Sequence, residues 1–156
     1  MAVALCQETS VLSPADKTFL TKVAEGGKKE IAVATAAMSS TTNPEVKSFA
    51  RRIIDDHTRA NHELETLAQS KGVSPASSTE SAKTEKQEGS DKAFLKDMVK
   101  DHEKDIAMFE RESRHGSDAE VKEWAAKTIP TLQEHLSLAR SLQASLMGTD
   151  TSSSKP

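Results

Sequence analysis

The chain has 156 residues, 35% of them hydrophobic, with one Cys, no Tyr, a formal net charge of -3 and a pI near 6.0. No apolar run approaches the roughly 20 residues that a transmembrane helix needs, and the 21 Lys and Arg are interspersed with acids, which leaves no basic face for nucleic acid or an anionic membrane. Because Cys6 is alone, an internal disulfide and a thiolate-rich centre are both ruled out, so a metal site here must use nitrogen and oxygen donors.

Residues 1–12 read as a disordered N-terminus or the remnant of a cut signal: the apolar piece Ala2 to Cys6 has no basic leader. Val3-Ala4-Leu5-Cys6 is faintly lipobox-like, but bulky Leu5 argues against lipidation of Cys6. Ser13-Pro14-Ala15-Asp16 then supplies an N-cap, a proline at the first helical position and an acid in the first turn, predicting a helix from Pro14 to about Ser39. Asn43-Pro44-Glu45 repeats that grammar, and the second helix runs to about Lys71, where Gly72 supplies the stop. The polar stretch 73–89 has no apolar periodicity and reads as a linker. Ser90-Asp91 opens a third helix that ends near His115, before Gly116. Ser117-Asp118-Ala119-Glu120 has the pattern of a capping box, and starts a fourth helix that reaches about Met147 with Pro130 inside it. The Ser/Thr-rich residues 148–156 read as a flexible tail.

An internal repeat organises these helices. Asp16-Lys17-Thr18-Phe19-Leu20 matches Asp91-Lys92-Ala93-Phe94-Leu95, and Glu45-Val46-Lys47-Ser48-Phe49-Ala50 matches Glu120-Val121-Lys122-Glu123-Trp124-Ala125, both at an offset of 75 residues. Two unrelated hairpins would seldom share one register, so the expected fold is all-α: a four-helix bundle over 13–147 built from two repeated hairpins around a pseudo-two-fold axis. The linker is long enough to run the length of the bundle or to stay at one end, so its topology is left open.

The apolar stripes are Phe19, Val23, Ile31 and Ala34; Val46, Phe49, Ile53, Leu64 and Leu67; Phe94, Met98, Ile106 and Phe109; and Val121, Ala125, Leu132, Ala139 and Leu142. Four metal-ligand types share their inward phase, one per helix: Glu30, His57, His102 and His135. His57 and His102 fall near their stripe centres, while Glu30 and His135 lie nearer the edges. A carboxylate and three imidazoles are expensive to bury unless something common satisfies them, and a divalent cation does so most simply. The repeat puts Asp105 opposite Glu30 as a candidate extra ligand, and Asn61, one turn after His57, is placed to orient that ring. It also aligns His102 with Gly27, so the Gly26-Gly27 pair is expected to leave room for the imidazoles. Asp56, Asp101 and Glu134, each just before a histidine, point about 100° away and read as surface or supporting groups; His62 and His115 read as solvated.

The motifs Asn43-Pro44-Glu45-Val46-Lys47-x-Phe49-Ala50, Asp55-Asp56-His57-x-x-x-Asn61, Asp101-His102 and Ile129-Pro130-x-Leu132-x-x-His135-Leu136 resemble the bacterial family known as domain of unknown function 4142, over about residues 14 to 145. That resemblance implies a ferritin-like four-helix bundle, an export signal and hence a periplasmic or cell-envelope location, and metal binding. In one respect the chain departs from the wider ferritin-like pattern. Di-iron members use a Glu-x-x-His pair on two helices, whereas Ile54, Val99 and Leu132 stand three residues before these histidines and cannot coordinate.

A di-iron centre is therefore disfavoured, and one divalent transition-metal ion, zinc or iron first, is expected. A closed tetrahedral shell would make the site structural, and the absence of Tyr leaves little redox-active support, so the reading leans away from an enzyme. The expected function is a metal-binding protein of the cell envelope, in metal or stress handling. The alternatives are a mononuclear metal oxidoreductase and a metal-free helical interaction module.

Overall fold

A computed structural model describes residues 12–74 and 90–152, the last four through their backbone alone. Four helices make up the fold: α1 (Pro14–Ser40), α2 (Pro44–Ser70), α3 (Asp91–His115) and α4 (Ala119–Ser152). None is long and apolar enough to cross a membrane.

Local chemistry sets the helix ends. Ser13 and Asp16 form a reciprocal capping box at the start of α1, and Asn43 Oδ1 accepts from the Glu45 and Val46 N–H groups at 2.9 and 3.2 Å. Gly72, with a φ of 70°, stops α2 in the left-handed region that a side chain would resist. At α4 the expected box led by Ser117 does not form. Asp118 is the cap, its Oδ1 accepting from Glu120 and Val121 at 3.0 and 3.1 Å. The Glu120 N–H that Ser117 would have accepted goes to Asp118, and the Ser117 N–H that Glu120 would have accepted goes to Asp16 of α1 at 3.0 Å, with the Asp118 N–H also on Asp16 at 3.2 Å. Asn43 and Asp118 are 75 residues apart, so the repeat extends to the caps.

Two expectations at the ends of the chain are corrected. Leu12 is a core residue, 3% exposed, packed with Phe19, Leu20, Leu64, Phe109 and Val121; residues 1–11 lie outside the described ones. The fourth helix passes Met147 and continues to Ser152, so 148–152 belong to it, since one glycine near a helix end costs only about 1 kcal/mol and no proline intervenes. Residues 153–156 lie outside the described ones.

The helices form two antiparallel hairpins, α1 with α2 and α3 with α4, and the hairpins meet through α1 against α3 and α2 against α4. Lys71, just past α2, pairs with Asp118 at 3.0 Å, while Phe49 and Phe94, near the starts of α2 and α3, stack 6.0 Å apart. The end of α2 and the start of α3 are thus at opposite ends of the bundle, which settles the linker topology: 75–89 join points a bundle length apart. The pseudo-two-fold shows in the aromatic contacts, since the Phe19–Trp124 pair, 6.4 Å apart, maps onto Phe94–Phe49 under the 75-residue shift.

Two apolar clusters fill the core. One surrounds Phe19, Leu20, Leu64, Phe109, Val121 and Leu132; the other surrounds Val46, Phe49, Ile53, Phe94, Leu95, Met98 and Ala139. The polar site residues lie along the helices between them.

Asp16 is fully buried, and it ties the hairpins together by closing the capping box of α1, where it accepts from the Ser13 N–H, and by receiving the α3–α4 turn. Burial would raise its pKa, but the hydrogen bonds from Ser117 and Ser13 and its contact with Glu112 bring it below the usual carboxylate range. Asp16→Ala should lower unfolding stability by about 2 kcal/mol, because the Ser13 N–H loses its capping-box acceptor and the Ser117 and Asp118 N–H groups lose theirs. Asp91→Ala, at the equivalent register of α3, should cost less than about 1 kcal/mol in the same urea melts. Equal losses would contradict the latch.

Candidate metal centre

Glu30, His57, His102 and His135 are all buried, with 3, 8, 0 and 1% of their surfaces exposed, and they form a polar layer across the middle of the bundle. The histidine ring centroids stand 5.3 to 5.7 Å apart. One nitrogen from each ring lies within 4.8 Å of the other two, which brings three donors within reach of a single ion.

Neighbouring acceptors fix the orientation of two of these rings. His102 Nδ1 stands 3.0 Å from the Met98 carbonyl, an acceptor only, so Nδ1 carries the hydrogen and donates it. His135 Nε2 stands 2.8 Å from Asp56 Oδ2 and donates to it. Burial would raise the Asp56 pKa, but the hydrogen bond from His135 and the charges of Arg59 and Arg52 carry it below normal, which keeps it an acceptor. What remains is His102 Nε2 facing His135 Nδ1 at 3.2 Å. In neutral rings both of these atoms present lone pairs.

The rings are held neutral. Burial, reinforced by the neighbouring imidazoles, pushes the His57 pKa down to about 3 and that of His102 down to about 4. Burial also lowers His135, against the pull of Asp56. Two lone pairs facing at 3.2 Å repel unless a cation lies between them. Bonds of ~2.0–2.1 Å at a tetrahedral angle would set two ligating nitrogens roughly 3.3 Å apart, so the spacing fits a transition-metal ion.

Glu30 approaches the cluster from α1, with Oε2 3.1 Å from His57 Nε2 and Oε1 3.4 Å from His102 Nδ1. Neither contact has hydrogen-bond geometry, and both carboxylate oxygens and His57 Nε2 are buried with no hydrogen-bond partner. Burial, with Asp105 and Asp101 nearby, pushes the Glu30 pKa up to about 9. The three imidazoles come together without Glu30, which stands beside His57 and on the Nδ1 side of His102. Asp105 and Asn61 lie on the wall of an adjoining cavity of about 40 Å3, together with Glu30, His57 and Trp124. His62 and His115 are exposed.

The Gly26-Gly27 pair makes room for a different group from the one expected. A Cβ on Gly26 would meet nothing, whereas one on Gly27 would collide with the Asn61 side chain. The amide of α2, not an imidazole, packs over Gly27. Sequence reasoning placed Asp56 among the supporting groups but did not assign it to His135, 79 residues away. The Met98 carbonyl left no sequence signal, because any residue type supplies one.

The sequence profile of the family described as Domain of unknown function (DUF4142) matches residues 3–142. The chain belongs to that family. Among solved structures, this DUF4142 chain is similar to a DUF305 fragment from Deinococcus radiodurans, with a TM-score of 0.72 and 14% identity over 85% of this chain and 97% of that one. It is also similar to CopM in the Cu(I)-bound form, with a TM-score of 0.72 and 22% identity over 84% of this chain and 96% of that one. CopM in the Ag-bound form gives a TM-score of 0.70 and 19% identity over 83% and 95%. At these identities the likeness establishes the fold. No match is found among curated proteins.

Proposed function

We propose that this DUF4142 protein binds one transition-metal ion between its two hairpins, through His57, His102 and His135, with Glu30 as the anionic fourth group. The observation that carries this reading is the pair of lone-pair nitrogens of His102 and His135, aimed at each other by Met98 and Asp56. One imidazole comes from α2, one from α3 and one from α4, and the carboxylate from α1, so a bound ion would staple both hairpins.

Zinc and iron rank first on sequence grounds. The likeness to CopM, whose structures contain Cu(I), Cu(II) or Ag, puts copper ahead of them, in keeping with the higher affinity of nitrogen sites for Cu(II) than for Zn(II). The adjoining cavity, of about 40 Å3, is far smaller than an organic substrate needs, which supports holding an ion over turning over a substrate. One long crossover joining two hairpins is the connectivity of ferritin-like bundles, and we place this fold with them. The export signal that the family resemblance implies supports a place in the cell envelope, in metal or stress handling.

Trp124, the only tryptophan, lines the cavity and reports on the site. Titrating chelator-treated protein with Cu(II), Zn(II), Fe(II) or Ag(I) should change its emission, with saturation at one equivalent for the tightest ion and Cu(II) binding at least tenfold tighter than Zn(II). His102→Ala should abolish the tight phase, and His62→Ala should preserve it. Tight binding that survives His102→Ala sinks the site; no binding by any ion leaves a helical interaction module.

A further inference from the structure

The three-imidazole centre does not account for all that surrounds Glu30. Its side chain is 4% exposed, and neither of its buried oxygens has a hydrogen-bond partner. It lines the cavity of about 40 Å3, which includes His57 and Asp56 but neither His102 nor His135, and which continues past them to Gly27, Asn61, Asp105 and Trp124. This space is therefore beside the imidazole cluster, on its Trp124 side, and is not the cluster itself.

Oxygen-bearing side chains come to this cavity from all four helices, and three of them, Glu30 from α1, Asn61 from α2 and Asp105 from α3, are carboxylate or amide groups not engaged with His135 as Asp56 is. Glu30 and Asp105 are 75 residues apart, the interval that relates the hairpins, so the pseudo-two-fold brings them to the α1–α3 contact as symmetry mates. Asn61 reaches the wall because Gly27 has no Cβ to exclude its amide. Lys22 lines the cavity from its exposed side, and the nearby Lys29 is engaged with Asp101 at 3.2 Å.

We propose that this cavity is a second cation position, suited to a hard divalent ion such as Mn(II), with Glu30, Asp105 and Asn61 as protein oxygens and water completing the coordination. Carboxylate and amide oxygens with water select Mg, Ca or Mn, whereas the imidazoles select Cu, Zn or Fe, so two adjacent positions sort ions by donor chemistry. Glu30 lies between them, and the two oxygens of one carboxylate can serve two ions. The proposal shares Glu30 with the function read from the imidazoles but does not depend on which ion they hold.

The test uses the full chain with Mn(II) and Zn(II) as probes. Free Mn(II), followed by its paramagnetic resonance signal, should disappear to one equivalent in both Zn-free and Zn-loaded protein. Asp105→Asn should weaken Mn(II) binding at least tenfold and leave Zn(II) binding as it was. His102→Ala should lose Zn(II) and keep Mn(II), and Asp101→Asn should change neither. If Asp105→Asn fails to fold, Asn61→Ala serves the same purpose, with the same expected loss. The proposal is overturned if wild-type protein takes up no Mn(II), if Mn(II) displaces Zn(II) one for one, or if Asp105→Asn and Asn61→Ala bind Mn(II) as wild type does. Mn(II) uptake that is sensitive to Asp105→Asn in a protein that refuses Zn(II) upholds the second position and removes the first.

Discussion

Stripping the ion from the loaded protein will lower its melting temperature by roughly 8 °C at pH 7.5. An ion present at ~100 times its dissociation constant, and bound only to the folded chain, adds about 2.7 kcal/mol, and each kcal/mol moves the midpoint of a domain this size by about 3 °C. The ligands come from every helix, so unfolding of either hairpin destroys the site and the full increment appears in one transition. His102→Ala will erase the difference between chelated and loaded melts. His135→Ala will do the same and will also leave Asp56 without its imidazole partner. His62→Ala will retain the difference, because His62 is exposed. Coincident melts of loaded and chelated wild-type protein, with the ion verified at saturation, would remove the staple.

Lowering the pH from 7.5 to 5.5 will weaken ion binding by about 100-fold in the wild type and by far less in Glu30→Gln. In the ion-free fold Glu30 is protonated at both pH values, because burial lifts its pKa to about 9, while His57 and His102 are already neutral, with pKa values near 3 and 4. Ligation by the Glu30 carboxylate therefore releases one proton, and affinity falls about tenfold for each unit of pH lost. The imidazoles begin to compete for protons only near pH 4. Calorimetric titrations at several pH values will give that slope, and a flat wild-type profile would show that the ion is held without Glu30.

The stability of the ion-free fold carries opposing terms over the same interval. The depressed histidines leave the unfolded chain binding more protons below pH 6.5, which costs about 1.4 kcal/mol for each of His57 and His102 by pH 5.5. Glu30, whose pKa is raised, is destabilising as pH rises toward 9, and it returns about 2.7 kcal/mol on the way down. Asp105 and Glu112, raised to about 6 and about 7, add to the Glu30 side, and His135, lowered by burial, adds to the histidine side, so the ion's share is read as the difference between loaded and chelated melts at each pH.

The residues most legible in the sequence were those whose signal is local or repeated. Ser13, Asn43 and Gly72 sit beside the backbone groups they terminate, so short-range hydrogen bonding identified the helix ends from neighbours in the chain. The 75-residue repeat carried the hairpin pairing, because a shared register of aromatic and charged residues survives without knowledge of packing. His57 and His102 were readable as inward residues for the same reason: they recur at helical spacing with the large apolar residues of their own helices.

Phase was harder where the inward face is built from small residues. On α1 the buried line is Leu20, Ala24, Gly27, Glu30, Ala34 and Ala37, whereas Ile31 and Val23, which weighted the expected stripe, are only half-buried. Glu30 therefore sits at the centre of that face, not near its edge. Ala and Gly carry little hydrophobic weight but are what close helix packing uses, and a stripe judged by side-chain size is rotated away from them.

The composition, the caps and the repeat determined four helices in two hairpins with metal-ligand types facing inward. Only the tertiary structure decided that Asp16 takes the Ser117 N–H that a capping box would have given to Glu120, that the ends joined by 75–89 are a bundle length apart, and that Gly27 makes room for Asn61. It also decided the orientation of the imidazoles. The partners that aim His102 and His135 at each other are a backbone carbonyl four residues back and a carboxylate 79 residues away. A carbonyl is common to every residue, and a long-range partner is chosen by how two helices rotate against each other. Ring orientation therefore depends on packing across the whole bundle, and no spacing along the chain encodes it.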